Sequence, residues 1–436
     1  MAHETHEANT HGKQLPRDLG TPEFVNGWQR RALVIGLAFS VVAVGLGFAD
    51  GRSFDADHVL RAWLLGLMLT FGFAVGGLAL LMVQYVTGGK WGLLLRRPLE
   101  AMSRTLLLVF AYWVLVAFSL KKLYLWASPT MVDDGVRRGL ISAEQLESIE
   151  HAIRFKHPML NPAAFVWVSL ACFAIWGFYA WRLNALGLKR DTETLETTPK
   201  WIKRLENISG PGIVVYAVTM SAAVIYWVMS LDPTWYSSVY GLLFLVGQAY
   251  QVLALAIIVV ISLSKGEPFK TILRQTEQHD LGNLTFAFVM LNIYLAFSQF
   301  LIIWSGNLPE EIPWYLDRVT GGWGVIITLD FIFHWLIPFT LLLSRDLKRN
   351  KKRLLQVCQW MVFAKAFDLF WLIEPNFKDA ARNLHFSWGI LEYAAVPVAM
   401  TAFWVAYFCA QLKARPLVQT NDPHLEEILE SEHVHA

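Results

Sequence analysis

Ten long apolar runs constrain this chain more than any motif does. Each is long enough to cross the hydrocarbon core of a bilayer, which is about 30 Å thick. They lie at residues 32–49, 60–86, 104–126, 162–183, 211–231, 238–263, 284–305, 322–343, 354–373 and 387–412. With 55% hydrophobic and only 17% charged residues, the composition excludes a soluble domain. The sequence therefore predicts an all-α integral membrane protein with ten transmembrane helices, the fifth and sixth being the least clearly separated.

The ten predicted helices allow an internal arrangement of two four-helix bundles. Helices 2–5 and helices 6–9 each form a set of four that starts on the outer side, and helices 1 and 10 would flank them. The two halves show no strong sequence identity. An internal repeat is consistent with this order but does not follow from it.

The distribution of basic residues predicts the orientation. With the N-terminus inside, 25 Lys and Arg residues fall on inner segments and 11 on outer ones, and Lys365 lies within a span. Both termini are therefore predicted to be cytoplasmic. The expected domains are a disordered cytoplasmic tail without a signal peptide over 1–24, a membrane domain over 25–412 and an acidic cytoplasmic tail over 413–436.

Three shorter segments carry local predictions. Gly88, Gly89 and Lys90, followed by Arg96 and Arg97, are expected to close the second helix with a glycine C-cap and a positive-inside anchor. On the outer side, residues 142–155 are amphipathic and predict a surface helix within the segment 127–161. That helix would either cap the fold or contact a partner.

A stiff loop follows the seventh span, within residues 298–318. It combines prolines and aromatic residues with two adjacent carboxylates, and it suits a surface that docks a partner. The residues assigned to this partner loop are Asn307, Glu310, Glu311, Trp314 and Tyr315. A rigid interfacial loop anchored by its aromatic side chains is the alternative.

Charged residues at membrane depth mark the candidate site, because burying them in lipid is costly. Asp330 and His334 are four residues apart on one span, and Lys365 and Asp368 are three apart on the next, so each pair shares a helix face. The helical rise puts Asp330 ~12 Å and His334 ~18 Å from the outer surface and Lys365 ~14 Å from the inner one. The two pairs are therefore predicted to reach the same depth and meet.

Other polar residues within the spans extend this set. The further candidates for a proton path are Gln248, Asn292 and Glu392. Most of the polar groups fall between the outer surface and the middle of the membrane, as an outward-opening, water-filled half-channel requires. Carboxylate, imidazole and amine groups in series can relay protons. The alternative is that Lys365 and Asp368 form a static ion pair that fixes helix packing.

The sequence predicts no metal and no covalently bound cofactor. Cys172, Cys358 and Cys409 all lie in apolar runs and form neither a haem attachment motif nor a cluster site. Only His334 lies well inside a span, whereas His58 and His385 fall at the outer edge, so paired haem ligation is not expected. A net charge of +2 gives no indication of nucleic-acid binding.

Several stretches resemble a known family. These are GGKWGLLLRRPLEA at 88–101, SGPGIVVYAVTMSAAVIYWVMSLDPTWYSSVYG at 209–241, HDLGNLTFAFVMLNIYLAFSQFLIIWSGNLPEEIPWYLDR at 279–318 and DLFWLIEPNF at 368–377. They are similar to the NrfD-like membrane subunits of bacterial alternative complex III, in particular the second such subunit, over about residues 27–412.

The resemblance implies a subunit of a quinol:cytochrome c oxidoreductase in the bacterial inner membrane. Its partners would be iron–sulfur subunits, c-type haem subunits and a sister NrfD-like subunit, with lipid and a quinone such as menaquinone as small molecules. It leaves open whether quinol reacts at this chain or at its sister. One departure from the family pattern is Tyr226, where many relatives carry Asp.

Two other function classes stay open at this point. A secondary transporter would bind a solute or ion at mid-membrane charges, although no matching pair of Gly/Pro-interrupted spans is present. A purely structural anchor would hold the other subunits of the complex.

Overall fold

The structure is a computed structural model that describes residues 19–48, 56–377, 391–422 and 424–425. Within these ranges the secondary structure is helical and includes no β-strand. The predicted all-α fold class is therefore confirmed.

The first half of the chain folds into nine helices. They are α1 (Phe24–Gly47), α2 (Ala56–Thr87), α3 (Trp91–Ser103), α4 (Leu106–Phe118), α5 (Leu120–Leu123), α6 (Pro129–Arg137), α7 (Ala143–Lys156), α8 (Pro162–Asp191) and α9 (Thr198–Trp227). A further turn, Met229–Leu231, follows α9 and separates the fifth predicted span from the sixth.

The second half contains nine more helices and one π-helical turn. They are α10 (Tyr240–Leu263), α11 (Phe269–Ile272), α12 (Gln275–Gly306), α13 (Ile312–Val319), α14 (Trp323–Asp330), the π turn (Phe331–Leu336), α15 (Ile337–Leu343), α16 (Arg345–Arg349), α17 (Lys351–Ile373) and α18 (Glu392–Lys413). Together α14, the π turn and α15 make up the eighth predicted span.

Within the described ranges, nine helical segments are long and apolar enough to cross a membrane. The chain is therefore a multi-pass membrane protein. The remaining predicted span, 354–373, is α17, and Gln356, Gln359, Lys365 and Asp368 interrupt its apolar sequence. Its 23 residues correspond to about 34 Å of helix, which still exceeds the thickness of the bilayer core.

Two central helices, α2 and α10, organise the packing. α2 contacts α3, α4, α9, α10, α17 and α18, and α10 also contacts α9, α12 and α17. α2 is apolar on every side, as expected for a helix surrounded by others. At Gly72 a Cβ would lie 1.8 Å from Gln251 Nε2, so glycine is what lets α2 and α10 approach this closely.

One of the two predictions for residues 88–97 is confirmed. Gly88 has φ +64° and donates to Gln84 O at 2.9 Å, which confirms the glycine C-cap of α2. Arg96 and Arg97, however, are buried at 3% and 5% exposure. They belong to α3, where Glu100 pairs with both of them, and the positive-inside anchor of this segment stays a prediction.

The segment 127–161 contains the predicted amphipathic helix. α7 begins after Ser142, which forms a capping box with Gln145. Ile149 is buried on its inner face, and Lys156 donates to Pro233 O at 2.7 Å. The prediction of a surface helix is confirmed, and its contact with a partner stays a prediction.

The two described ends of the chain lie side by side. α1 packs along α18, Leu417 N donates to Leu19 O at 2.7 Å, and Lys413 Nζ donates to Asn26 Oδ1 at 2.8 Å. The start of α1 and the end of α18 are therefore on the same side of the helix assembly. Val41, 73% exposed on α1, is directed away from this contact, as a lipid-facing residue would be.

Part of the predicted C-terminal tail is packed against the helices. Gln419, Asn421 and Asp422 are each at most 8% exposed. Asp422 accepts from Arg190 at 2.9 Å, and Asn421 donates to Arg190 O at 2.5 Å. The segment after α18 thus closes over the ends of α3 and α8.

Candidate functional site

The two predicted pairs of ionisable residues meet inside the helix assembly. His334 Nδ1 lies 3.5 Å from Asp368 Oδ1 and 3.9 Å from Asp330 Oδ1. Lys365 Nζ donates to Asp368 Oδ2 at 2.6 Å. We call these four residues the charged cluster. Their predicted proximity is observed, whereas their participation in proton transfer stays a prediction.

A π-helical turn presents His334 to the cluster. Pro338 follows it and has no N–H to donate to the carbonyl of Phe333, five residues back as in the π turn, or to that of His334, four residues back as in an α-helix. The Tyr250 hydroxyl donates to this carbonyl at 3.0 Å, and the Trp360 indole donates to Phe333 O at 2.9 Å. Side chains of α10 and α17 thus bind backbone carbonyls of the turn and fix its position. Such turns occur frequently at functional sites.

α10 provides the space for the lysine. At Gly247 a Cβ would lie 2.8 Å from Lys365 Nζ, so any larger residue would displace the ammonium. The ammonium also lies 5.7 Å from the centre of the Phe244 ring, a weak cation–π distance. Lys365 is 4% exposed, and its ion pair with Asp368 compensates for that burial.

A cavity of about 220 Å³ adjoins the charged cluster. The four cluster residues line it together with Asn292 from α12. It extends to α13 and to the end of α12, where further side chains complete the lining. These include Gln299, Trp314, Tyr315, Phe297, Phe331, Trp335 and Trp371.

Two buried polar atoms of the cluster have no hydrogen-bond partner among the described residues. They are Asp330 Oδ1 and His334 Nε2. Both residues line the cavity, which is large enough for several water molecules. A water-filled cavity would satisfy these atoms and link them for proton transfer.

A metal fits this arrangement poorly. Asp330, His334 and Asp368 offer ligand atoms that all lie within 4.8 Å of one another, and carboxylates with an imidazole are donors that many metals accept. The Lys365 ammonium, however, is 2.6 Å from Asp368 Oδ2. Its positive charge opposes a cation at this position.

Not every residue predicted for the proton path belongs to the cluster. Gln248 does not line the cavity, because its Oε1 accepts from Tyr216 at 2.7 Å and its Nε2 lies against Met220 Sδ. Glu392, 1% exposed at the start of α18, also lies outside the lining. The structure therefore gathers Asp330, His334, Lys365, Asp368 and Asn292 and leaves these two apart.

Sequence reasoning missed two supporting residues, Tyr250 and Gly247. Neither is charged, and nothing in the periodicity of α10 distinguishes them. The available signal was Pro338, which leaves a carbonyl in need of a donor. The neighbouring helix that supplies this donor is identified only by the packing.

The predicted partner loop consists of a non-helical turn, residues 307–311, and the short helix α13, which contains Trp314 and Tyr315. Asn307 ends α12 in the left-handed conformation with φ 49°, and Glu310 is exposed. Trp314 is only 2% exposed and stacks on Trp235 at 4.4 Å. It anchors the loop and offers no surface to a partner, while burial raises the pKa of Tyr315 to about 12.

The remaining loop residue, Glu311, is half-buried. Neither Glu310 nor Glu311 forms an ion pair within the part of the chain that the structure describes. Both carboxylates thus stay available to a basic partner surface. Asn307 and Glu310 are the most exposed members of the predicted set.

Tyr226, the departure from the family pattern, is remote from the cluster. It lies on α9, and its hydroxyl donates to Met159 O at 2.9 Å. It does not line the cavity beside Asp330. In this chain the Tyr226 side chain connects α9 to the segment that precedes α8.

The fold and the site together define a class: a multi-pass helical membrane protein with four ionisable groups beside a small internal cavity. No protein-family model matches the sequence, and no curated protein matches it either.

Proposed function

We propose that this chain is a ten-span, NrfD-like membrane subunit of a bacterial quinol:cytochrome c oxidoreductase of the alternative complex III type. In this proposal the chain carries protons between the outer surface and the middle of the membrane. The observation that carries it is the charged cluster beside a cavity. Ionisable groups at membrane depth that meet one another are typical of proton relays.

Ten spans are supported by the position of the chain ends. An odd number of crossings would separate the start of α1 from the end of α18, yet Leu417 N donates to Leu19 O. Counting α17 as a span makes the number even. Helix contacts also support the two bundles: α2, α4, α8 and α9 contact one another in sequence, as do α10, α12, α15 and α17.

The charges of the cluster support one exchangeable proton. Two carboxylates and one ammonium leave a net negative charge when His334 is neutral. An uncompensated charge in an apolar interior is costly. Uptake of one proton by Asp330 or His334 neutralises the cluster, and its release through the cavity restores the charge.

The cavity indicates the direction of this path. It extends from the cluster to Gln299 and Tyr315, next to the loop that the basic-residue count predicts to be outside. An outward-opening half-channel would therefore end at Lys365 and Asp368. We propose that the exposed carboxylates of the same loop contact the iron–sulfur or c-type haem subunits.

Quinol is the electron donor in this proposal. The resemblance leaves open whether menaquinol reacts at this chain or at the sister subunit. Aromatic walls such as Phe297 and Trp335 beside the cluster suit a ring-shaped ligand. The proton path requires only that quinol oxidation in the complex releases protons near it.

The test is quinol:cytochrome c turnover with proton release in the assembled complex. We expect Asp368→Asn and Lys365→Met each to reduce coupled turnover about 100-fold, the usual effect of losing an acid–base group. The control is Tyr216→Phe, because the hydroxyl of Tyr216 bonds Gln248 outside the cavity. It should leave turnover unchanged.

The outcomes separate the alternatives. A structural anchor predicts weaker assembly with normal turnover per assembled complex. A secondary transporter predicts that the purified chain in vesicles moves a solute or ion without the other subunits. Normal turnover and proton release in both cluster variants would reject the proton path.

A further inference from the structure

A second cavity, larger than the one beside the charged cluster, opens at the side of the helix assembly. The two cavities share no lining residue. This lateral groove has a volume of about 610 Å³ and lies between α4, α8 and α18. Its walls are mostly apolar and include Leu107, Phe110, Phe173, Trp181 and Leu188. Leu107 and Trp181 are 69% and 64% exposed, so the groove faces the surrounding lipid.

Two arginines line one end of the groove, Arg104 and Arg415. Arg104 donates to Asn184 Oδ1 at 2.7 Å and to Gln411 Oε1 at 3.0 Å. Arg415 donates to the same Asn184 oxygen at 3.0 Å and to Glu100 Oε2 at 3.2 Å. A single amide oxygen therefore holds two guanidinium groups together.

Arg104 lacks a compensating carboxylate. Its hydrogen bonds all go to neutral oxygens, those of Asn184 and Gln411. Within the described ranges it forms no ion pair. The guanidinium groups of Arg104 and Arg415 therefore repel each other, and the apolar surroundings strengthen this repulsion. A nearby anion would offset it.

The neighbouring ion pairs do not remove this excess of charge. Arg96 and Arg97 bind Glu100 and Asp191, and Glu100 is also the carboxylate that Arg415 contacts. Three guanidinium groups thus share two carboxylates, which leaves none for Arg104. The excess positive charge lies at the end of the groove where Arg104 is located.

We propose that the lateral groove binds an anionic glycerophospholipid. Its phosphate diester would bind Arg104 and Arg415, and one acyl chain would lie along Leu107, Phe110 and Trp181. Charge complementarity identifies this occupant: basic pockets between transmembrane helices are typical sites for anionic headgroups. The groove end lies beside α3 and the segment after α18, which the basic-residue count predicts to be cytoplasmic, and the proposal is independent of the respiratory function.

The test measures lipid retained by the full chain in neutral detergent, using native mass spectrometry. Dioleoylphosphatidylglycerol and dioleoylphosphatidylcholine are compared as probes. We expect the anionic lipid to bind more tightly, and Arg104→Gln to weaken it about five- to tenfold, as expected for one basic group near a lipid phosphate. The control is Lys189→Gln, which removes an exposed charge from the same end of α8 outside the groove.

A second variant tests the groove without changing its charge. Gly177 lines it, and no atom lies within 4 Å of a Cβ placed there. Gly177→Leu should therefore fold normally, fill the groove and release the lipid. If both lipids bind equally, or if Arg104→Gln and Lys189→Gln lose the same amount, the proposal is wrong. Displacement by inorganic phosphate alone, or by a short-chain quinone, would also overturn it.

Discussion

At the scale of single residues, the position of the Lys365 ammonium depends on a glycine. Gly247 on α10 leaves just enough room, since a Cβ there would lie 2.8 Å from Lys365 Nζ. The ammonium is the flexible end of a long side chain and can shift at small energetic cost. A shift would nevertheless alter its bond to Asp368. Adding a methyl group at position 247 therefore tests the geometry of the cluster without removing a charge.

Gly247→Ala should lower coupled turnover of the complex while changing the free energy of unfolding by less than about 1 kcal/mol, because helix propensity offsets the crowding. The control is Gly45→Ala on α1, where no atom lies within 4 Å of the added Cβ and no proline follows. It should leave turnover unchanged and stabilise the chain by roughly 0.5–1 kcal/mol. Turnover and thermal unfolding in detergent are the two measurements, and equal turnover in both variants would contradict the role of Gly247.

At the scale of elements, hydropathy predicted most of the helices. It did not predict the residues that hold the charged cluster in place. All ten apolar runs correspond to helical segments, because lipid requires backbone groups to be satisfied within a helix. α3 was missed as a buried helix, since Arg96 and Glu100 make its sequence polar. The π turn was also missed, because it depends on Tyr250 from another helix.

The Tyr250 hydroxyl and the missing N–H of Pro338 should be energetically coupled. Tyr250→Phe leaves the buried His334 carbonyl without this donor and should destabilise the chain by about 1–3 kcal/mol. Pro338→Ala restores an N–H in the helix, so the same Tyr250→Phe change should cost less in that background. A double-mutant cycle of unfolding free energies measures the difference, and strictly additive costs would show that the hydroxyl does not replace the missing donor.

At the scale of the whole molecule, packing at the ends determines the topology. α1 lies along α18, and the segment after α18 binds Arg190 through Asp422 at 2.9 Å. These contacts could not be predicted from hydropathy, because the residues after Lys413 are mostly polar and predict an unpacked tail. They place the end of the described chain on the side where it starts. If the nine apolar segments all cross the membrane, an even number of crossings requires α17 to cross as well, as we propose.

Labelling with a membrane-impermeant maleimide tests that requirement directly. Cys172, Cys358 and Cys409 are buried, so an added cysteine can be labelled above a low background. In intact inverted vesicles, we expect labelling at cysteines replacing the exposed residues Glu23, Lys200 and Ala414, and none at Glu147 or Glu310.

Right-side-out vesicles should give the reverse pattern, because the positive-inside rule assigns the first three positions to the cytoplasm. Detergent permeabilisation is the control, since it should make all five sites reactive. Labelling of positions 23 and 414 from opposite sides would mean an odd number of crossings. That result would exclude α17 as a span and would place Lys365 and Asp368 outside a transmembrane proton path.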